Sequence, residues 1–342
     1  MHLALHPVPA SSDGPAHQAP APDPFDPIAA AHDLAARLTA AAGRGHPGGH
    51  AARERQWIRA SGLLALSVPR EYGGLGASWK TIGDVVRIVA RADCALAHLL
   101  GLHHVQIAGI RLAGNARQQR RLLFETIEHD VFWGDAMNPL DKRLVARPTA
   151  GGYMLDGVKE FASGSVGSDW LTVCAWDPLA HGSLVAVLAT QRDGVSVHAD
   201  RDAFGLRRTD SGTVSFTNVR LTEDDVLQPA GRAPTPRAAL RAQVAQLLVT
   251  NVYLGLAEGA PDAARGHLRG EAQRWHAASR DAAGAAASRL DDAFARGPDL
   301  TRRERGEVAV VVAEAKTVAY NAAIEIGRHA LDGTLPVSAA YA

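Results

Sequence analysis

Cysteine is nearly missing from this 342-residue chain, which carries only Cys94 and Cys174. Two thiols cannot build a disulfide framework, and neither stands in a Cys-x-x-Cys or Cys/His ligand pattern, so a reducing compartment fits. Net charge is also missing, because 36 Lys and Arg offset 36 Asp and Glu. With no long basic tract, electrostatic capture of nucleic acid or of an anionic membrane is not indicated. The 15 histidines are scattered and no pair has a spacing such as His-Glu-x-x-His, so no metal is expected. No Gly-x-Gly-x-x-Gly follows a strand at the head of a βαβ unit, which argues against a Rossmann dinucleotide site. Gly73-Gly74-Leu75-Gly76 lies between helical segments and reads as a turn. Residues 1–27 are rich in Ala, Pro, Ser and His and lack both an apolar h-region and a basic amphipathic pattern. They are expected to be a disordered tail without a targeting signal, and the chain to be cytoplasmic.

What is present is enough apolar material, 46% of residues, to fill two or three domains. Over residues 28–131 the apolar spacing is helical, with stripes such as Ile82, Val85, Val86, Val89 and Leu96, Leu99, Leu100. Over 132–228 the period shortens and predicts a β domain, with strands around Leu144–Arg147, Tyr153–Phe161, Leu171–Trp176, Leu184–Thr190, Val195–His198 and Thr213–Leu221. Pro229, Pro234 and Pro236 punctuate a linker. Over 237–342 helical spacing returns in three stretches, Arg237–Leu268, Glu271–Phe294 and Thr301–Leu331, the last opening on a capping box, Thr301-Arg-Arg-Glu304.

The most informative run is Gly152 to Gly164. Asp156-Gly157 is a signal for a primed turn, and strand-like residues flank it, so the run reads as a hairpin whose second strand delivers Phe161 and Ser163 to a tight bend. An aromatic ring beside a hydroxyl and backbone N–H groups suits a flat, hydrogen-bonding heterocycle such as a flavin. The alternative is an ordinary surface hairpin.

Five stretches, in order, decide between these. They are Val68-Pro-Arg-Glu-Tyr-Gly-Gly-Leu-Gly76, Trp133-Gly-Asp-Ala-Met137, the run above, Gly205-Leu-Arg-Arg-Thr-Asp-Ser-Gly212 and Ala245-Gln-Leu-Leu-Val-Thr-Asn-Val-Tyr-Leu-Gly255. Together they resemble the acyl-CoA dehydrogenase superfamily, in its flavin-dependent, dibenzothiophene monooxygenase-like branch, over most of residues 50 to 342. The resemblance implies an α+β fold: an N-terminal helical domain, a middle β-barrel or sandwich, and a C-terminal helical bundle. It also implies a flavin, reduced FMN or FAD, bordered by Trp133, Asp135, Ala136, Met137, Asn138, Phe161, Ser163 and Gly164, with Arg207 near its phosphate. Ser163 and His103 are the catalytic candidates by the same resemblance. On its own residues, Ser163 also suits a turn-stabilising hydroxyl, and His103 a helix histidine packed at a domain seam. Asp135 stands where dibenzothiophene monooxygenases have asparagine. Asn251 and Tyr253 are expected to begin the first C-terminal helix and face the pocket.

The C-terminal part resembles the superfamily incompletely. The chain passes directly from Gly270 to Glu271 and from Glu325 to Ile326-Gly-Arg-His329, where the superfamily carries a loop and an Arg- and His-rich segment respectively. Two internal stretches are therefore expected to be missing, leaving a shortened bundle of reduced stability, with His329 at the surface. The activity implied is that of a two-component monooxygenase: a separate reductase supplies reduced flavin, oxygen adds to give a C4a-hydroperoxide, and an oxygen atom passes to a small organosulfur or aromatic compound. The alternatives are acyl-CoA dehydrogenation with FAD, and an inactive relative acting as a subunit or binding module. A homotetramer or dimer, with neither nucleic acid nor membrane as partner, completes the expectation.

Overall fold

The computed structural model describes residues 25–42, 50–201, 205–259 and 269–332. Five helices come first: α1 (Pro27–Ala41), α2 (Ala52–Ala60), α3 (Trp79–Ala92), α4 (Cys94–Ala113) and α5 (Ala116–Glu128). The strands follow as β1 (Trp133–Ala136), β2 (Val145–Thr149), β3 (Gly152–Ala162), β4 (Trp170–Asp177), β5 (Gly182–Ala189), β6 (Val195–His198), β7 (Gly212–Thr222) and β8 (Val226–Gln228). Three long helices close the described chain: α6 (Leu240–Gly259), α7 (Arg269–Arg296) and α8 (Arg302–Asp332). Of the expected tail, residues 1–24 lie outside the described residues. Its last residues lead into α1, whose N-terminus is capped by Asp26 accepting from the amides of Ile28 and Ala29.

The apolar stripes do what their spacing predicts. Ile82, Val85, Val86 and Val89 on α3 and Leu96, Leu99 and Leu100 on α4 are fully buried, in one core with Leu247 and Leu248 of α6, Leu290 of α7 and Val312 of α8. The N- and C-terminal helices thus share a core. α6 approaches α3 closely because Gly255 has no side chain, since a Cβ there would sit 2.3 Å from the Arg87 carbonyl. Asn251 lies in the middle of α6, buried against Gly83 of α3, so it does not begin that helix; it lines a cavity with Gly83, Arg87 and Ala287, away from the Ser163 bend. Tyr253 packs edge-on against Tyr320 of α8. The capping box at Thr301 forms as expected, with both Thr301 groups donating to Glu304 and the Glu304 amide donating back.

The strands join in one mixed sheet, ordered β6-β7-β3-β2-β4-β5-β8, with β1 parallel to β4. Its inward residues, among them Leu155, Leu171, Val173, Ala186, Leu188, Val214 and Phe216, form a second core, and a third binds β1, β5 and β8 to α4 and α5 through Ile107, Ile110, Leu122, Trp133, Val187 and Leu227. The primed turn at Asp156-Gly157 is not there. β3 runs straight through with a bulge between Leu155 and Gly157, and the true β2–β3 turn is at Ala150-Gly151. Gly157 serves close strand approach, since a Cβ on it would sit 2.0 Å from the Arg143 carbonyl, and the Asp156 carboxylate accepts from the Asn218 amide across the sheet.

Candidate active site

At the end of β3 the chain bends through Ser163 and Gly164, and two neighbouring segments shape the bend. The Gly164 amide donates to the Thr209 carbonyl at 2.9 Å and the Val166 amide to the Asp210 carbonyl at 3.0 Å, so the Gly205–Gly212 run lies along it. Asp210 is buried, accepts from the Ala51 amide and pairs with Arg55, which also donates to the Val166 carbonyl at 2.7 Å. Arg208 pairs with Asp93, the carboxylate that caps α4 by accepting from the amides of Ala95 and Leu96. Buried charge-assisted bonds therefore tie the bend to α2 and α4 and hold it in one geometry.

β1 meets the same bend, its Asp135 amide donating to the Ser163 carbonyl at 2.9 Å. Glycine is required at 134, because a Cβ would lie 2.8 Å from Ser168 Oγ and 2.9 Å from the Gly164 carbonyl. From α4, Leu99 packs over Gly164. The Ser163 hydroxyl ends a chain of three: Ser211 lies 3.2 Å from it, Thr209 lies 2.9 Å from Ser211, and Thr209 reaches the Leu206 carbonyl at 2.9 Å. Thr209 spends its proton on the Leu206 carbonyl and Ser211 donates to Ser163 Oγ, so the Ser163 proton is left to donate into the site.

Phe161, just before the bend, has φ 54° and leaves 68% of its surface exposed. A bulky side chain in left-handed backbone is a strained exception, and such strain concentrates at functional sites. Arg201 lies 5.2 Å from its ring. On α4, His98 is held neutral, its pKa lowered to about 4 by burial and by the charge of Arg201.

Of the residues expected at the site, Asp135, Phe161, Ser163 and Gly164 are brought together here. Met137, half-buried, donates its amide to the Asp135 carboxylate, and Asn138 is exposed just beyond β1. Arg207 is exposed on the turn that Arg208 anchors. Three residues depart from expectation. The Trp133 indole is buried, donates to Thr126 Oγ1 at 3.0 Å and belongs to the α4–α5 core, while Ala136 faces the sheet core, because alternation along β1 points successive side chains to opposite sides. His103 is fully buried: its Nε2 is 3.0 Å from the Leu64 carbonyl and its Nδ1 accepts from the Trp133 amide at 3.4 Å. Both ring nitrogens are taken, so His103 holds α4 to β1 and does not line a channel. The His329 side chain lies outside the described residues.

The structure adds residues that the sequence reading passed over. Gln106, two turns after His98 on α4, accepts from Arg241 of α6 at 2.9 Å, and Arg241 lies 3.8 Å from the Asp135 carboxylate. Burial pushes the Asp135 carboxyl up, against the pull of Arg241. Lys159 of β3 is buried and donates to the carbonyls of Asn138 and Asp141 at 2.6 and 2.5 Å. A glutamine within the apolar α4 was the one available signal. Among the described residues no group of His, Cys, Asp and Glu could hold a metal ion, and no helix is long and apolar enough to cross a membrane.

Residues 34–130 match the family described as acyl-CoA dehydrogenase, N-terminal domain. A dibenzothiophene monooxygenase from Rhodococcus qingshengii is 39% identical over 341 residues, covering 88% of this chain and 82% of the relative. The chain belongs to the flavin monooxygenase branch of the acyl-CoA dehydrogenase superfamily. A probable FMNH2-dependent monooxygenase, SfnC from Pseudomonas putida, is 36% identical over 331 residues, covering 89% and 82%. Among solved structures, methanesulfinate monooxygenase MsuC from Pseudomonas fluorescens superposes with a TM-score of 0.86 at 34% identity, over 92% of this chain and 89% of that one. Membership of this flavin monooxygenase branch fits the bend at Ser163, which joins the β domain to the helices.

Proposed function

We propose that this chain is a two-component flavin monooxygenase, using FMN reduced by a separate reductase, and molecular oxygen, to oxygenate a small organosulfur compound. The observation that carries the reading is the single preorganised bend where the exposed, strained Phe161, the Ser163 hydroxyl chain and the inner end of β1 meet. The residues fit a flavin. The exposed Phe161 ring offers apolar cover to a planar heterocycle, and Ser163 supplies a hydroxyl whose proton is left to donate. Asp135, Met137, Asn138 and Gly164 would border the ring system, and Arg207 would contact its phosphate. SfnC, named as FMNH2-dependent, supports FMN over FAD.

Reduced FMN, when bound, supplies the two electrons that activate oxygen, one atom going to substrate and the other leaving as water. The chain's own residues orient and protect. Ser163 would hydrogen-bond at the reacting edge, steadied by the Ser211 hydroxyl that donates to it. Leu99, packed over Gly164, limits water at the bend, and neutral His98 adds no proton near pH 7. The test is a titration of the purified chain with oxidised and anaerobically reduced FMN and FAD, following flavin fluorescence and melting temperature together. Saturable binding that favours reduced FMN is expected. Bleaching of bound oxidised FAD by an acyl-CoA would instead assign dehydrogenation, and failure to bind any flavin would leave an inactive relative.

A further inference from the structure

The connection from β1 to β2 turns at Asn138-Pro139-Leu140-Asp141. There the Asn138 side chain accepts from the Leu140 amide at 3.1 Å, and the Asn138 carbonyl accepts from the Asp141 amide at 3.3 Å. Pro139 sits where such a turn favours it, since its φ is preset and its missing N–H is not needed. Asn138, Pro139 and Leu140 are all exposed, Leu140 by 87%, so no apolar packing sets where the tip of the turn lies. Polar ties to β3 do so instead. On the outer side Arg143 donates to Asp141 and to Glu160 of β3, but Arg143 and Glu160 are 49% and 45% exposed, and such a pair holds weakly. On the inner side Lys159, only 1% exposed, donates to the carbonyls of Asn138 and Asp141, the two ends of the turn, at 2.6 and 2.5 Å. The Asp141 carboxylate is taken by Arg143 through two bonds of 2.8 Å, so the backbone of the turn, and not its charge, receives the lysine. Burial opposes the ammonium and lowers its pKa. An apolar side chain would fill the same space without that cost. What the lysine adds is a fixed geometry, because two charge-assisted bonds locate both ends of the turn against β3.

Lys159 also links the two segments that would border the flavin. It holds the chain at Asn138, just past Met137, while Phe161 stands two residues further along its own strand and leads into the Ser163 bend. The main chain joins the same segments nearby, where the Asp135 amide donates to the Ser163 carbonyl at 2.9 Å. We propose that Lys159 is a positioning residue for the flavin: its clamp on Asn138 and Asp141 adds a tie between the exit of β1 and β3, and so sets the gap between Met137-Asn138 and Phe161 that a planar ring system enters. The proposal rests on the flavin monooxygenase reading and deepens it, with Lys159 acting through the turn and touching neither flavin nor substrate. Without the clamp, the Asp135–Ser163 bond still fixes the inner end of the gap. The chain beyond Ala136 then hangs on an exposed turn, and a ring that needs cover from both segments binds less well.

The experiment compares the full chain as wild type, Lys159→Met, Lys159→Gln and Arg143→Gln. Far-ultraviolet circular dichroism checks the fold, anaerobic titration gives the affinity for reduced FMN, and the visible circular dichroism of bound oxidised FMN, at saturation, reports the surroundings of the ring. Lys159→Met is expected to fold, to weaken reduced-FMN binding by about tenfold, the size of one lost hydrogen bond to a charged group, and to change the visible dichroism. Lys159→Gln keeps a shorter donor and should fall between that variant and wild type. Arg143→Gln cuts only the exposed outer tie and should stay within about threefold of wild type, with its visible dichroism unchanged. A folded Lys159→Met whose affinity lies within about twofold of wild type, with the same visible dichroism, would overturn the proposal. Arg143→Gln weakening binding as much as Lys159→Met would overturn it too, because loosening the turn by any route would then suffice. Should the methionine variant fail to fold, the same two comparisons are made with Lys159→Gln. Failure of wild type itself to bind reduced FMN would show that the flavin monooxygenase reading, and not only the role of Lys159, had failed.

Discussion

Ser163 is the residue on which the chemistry is expected to turn, and its surroundings separate catalysis from folding. Among the described residues its hydroxyl bonds only to Ser211, at 3.2 Å, so Ser163→Ala removes one hydrogen bond at the bend and leaves the backbone ties of Gly164 and Val166 intact. Turnover in the reductase-coupled assay should fall by about 10²-fold, within the usual span for a positioned proton donor, while reduced-FMN binding survives. Turnover within threefold of wild type, by about the error of such comparisons, would reduce Ser163 to a turn residue. The histidines of α4 make a different prediction, because burial holds them neutral. His98 and His103 are lowered to about 4, and His104 well below its ordinary value, each chiefly by burial. Their folded pKa lies below the ordinary value of about 6.5, so as pH falls the unfolded chain takes up protons first. The stability they permit is whole above about pH 6.5 and is lost as pH falls toward 4. Asp135, raised by burial, works in the opposite sense and softens the slope. The melting temperature should therefore drop between pH 7.5 and 5, and less so in His103→Gln. Equal drops in variant and wild type would mean that His103 does not carry the effect.

Among the elements, the short α2 matters more to the site than its length suggests. Its Arg55 is buried with Asp210 and holds both the 163–167 bend and the Gly205–Gly212 run. Gly167 lacks a side chain where Arg55 passes, since a Cβ would come within 2.0 Å of the guanidinium. Asp210→Ala strands a buried cation, which costs about 3–5 kcal/mol, and it should also weaken reduced-FMN binding, because the bend loses its brace. Urea denaturation measures the first effect and flavin titration the second. A stability change under about 1 kcal/mol, the range of exposed pairs, would show the pair to be solvated. At this scale the sequence was legible where period and capping chemistry decide. The stripes on α3 and α4 and the Thr301–Glu304 box needed only local spacing. It misled at Asp156-Gly157, because a glycine demanded by close approach of a neighbouring strand is indistinguishable, in sequence, from one demanded by a turn.

On the scale of the whole molecule, the C-terminal helices carry the unsettled face. Val310, Val318, Tyr320 and Ile324 of α8 are exposed, Val310 by 57%, on a helix whose other side packs on α6 and α7. Apolar side chains gathered on one long helix argue for association, and we expect a homo-oligomer closed through α8. Val310→Lys with Ile324→Lys should shift the chain toward monomer in sedimentation velocity without loss of helix content. A wild-type monomer at tens of micromolar, roughly the working range of such measurements, would count against it. Length, charge balance, scarce cysteine, the alternation of helical and strand periods, and the order of five short motifs were enough to place the chain in its fold and to point at Ser163 and Phe161, because those signals are local and each is written in consecutive residues. Which residues of β1 face the site, that His103 serves packing, and that Gln106, Asp135 and Arg241 meet from α4, β1 and α6 were decided only in three dimensions. Side-chain facing depends on strand pairing and helix docking, and partners 135 positions apart are joined by packing that no local pattern encodes.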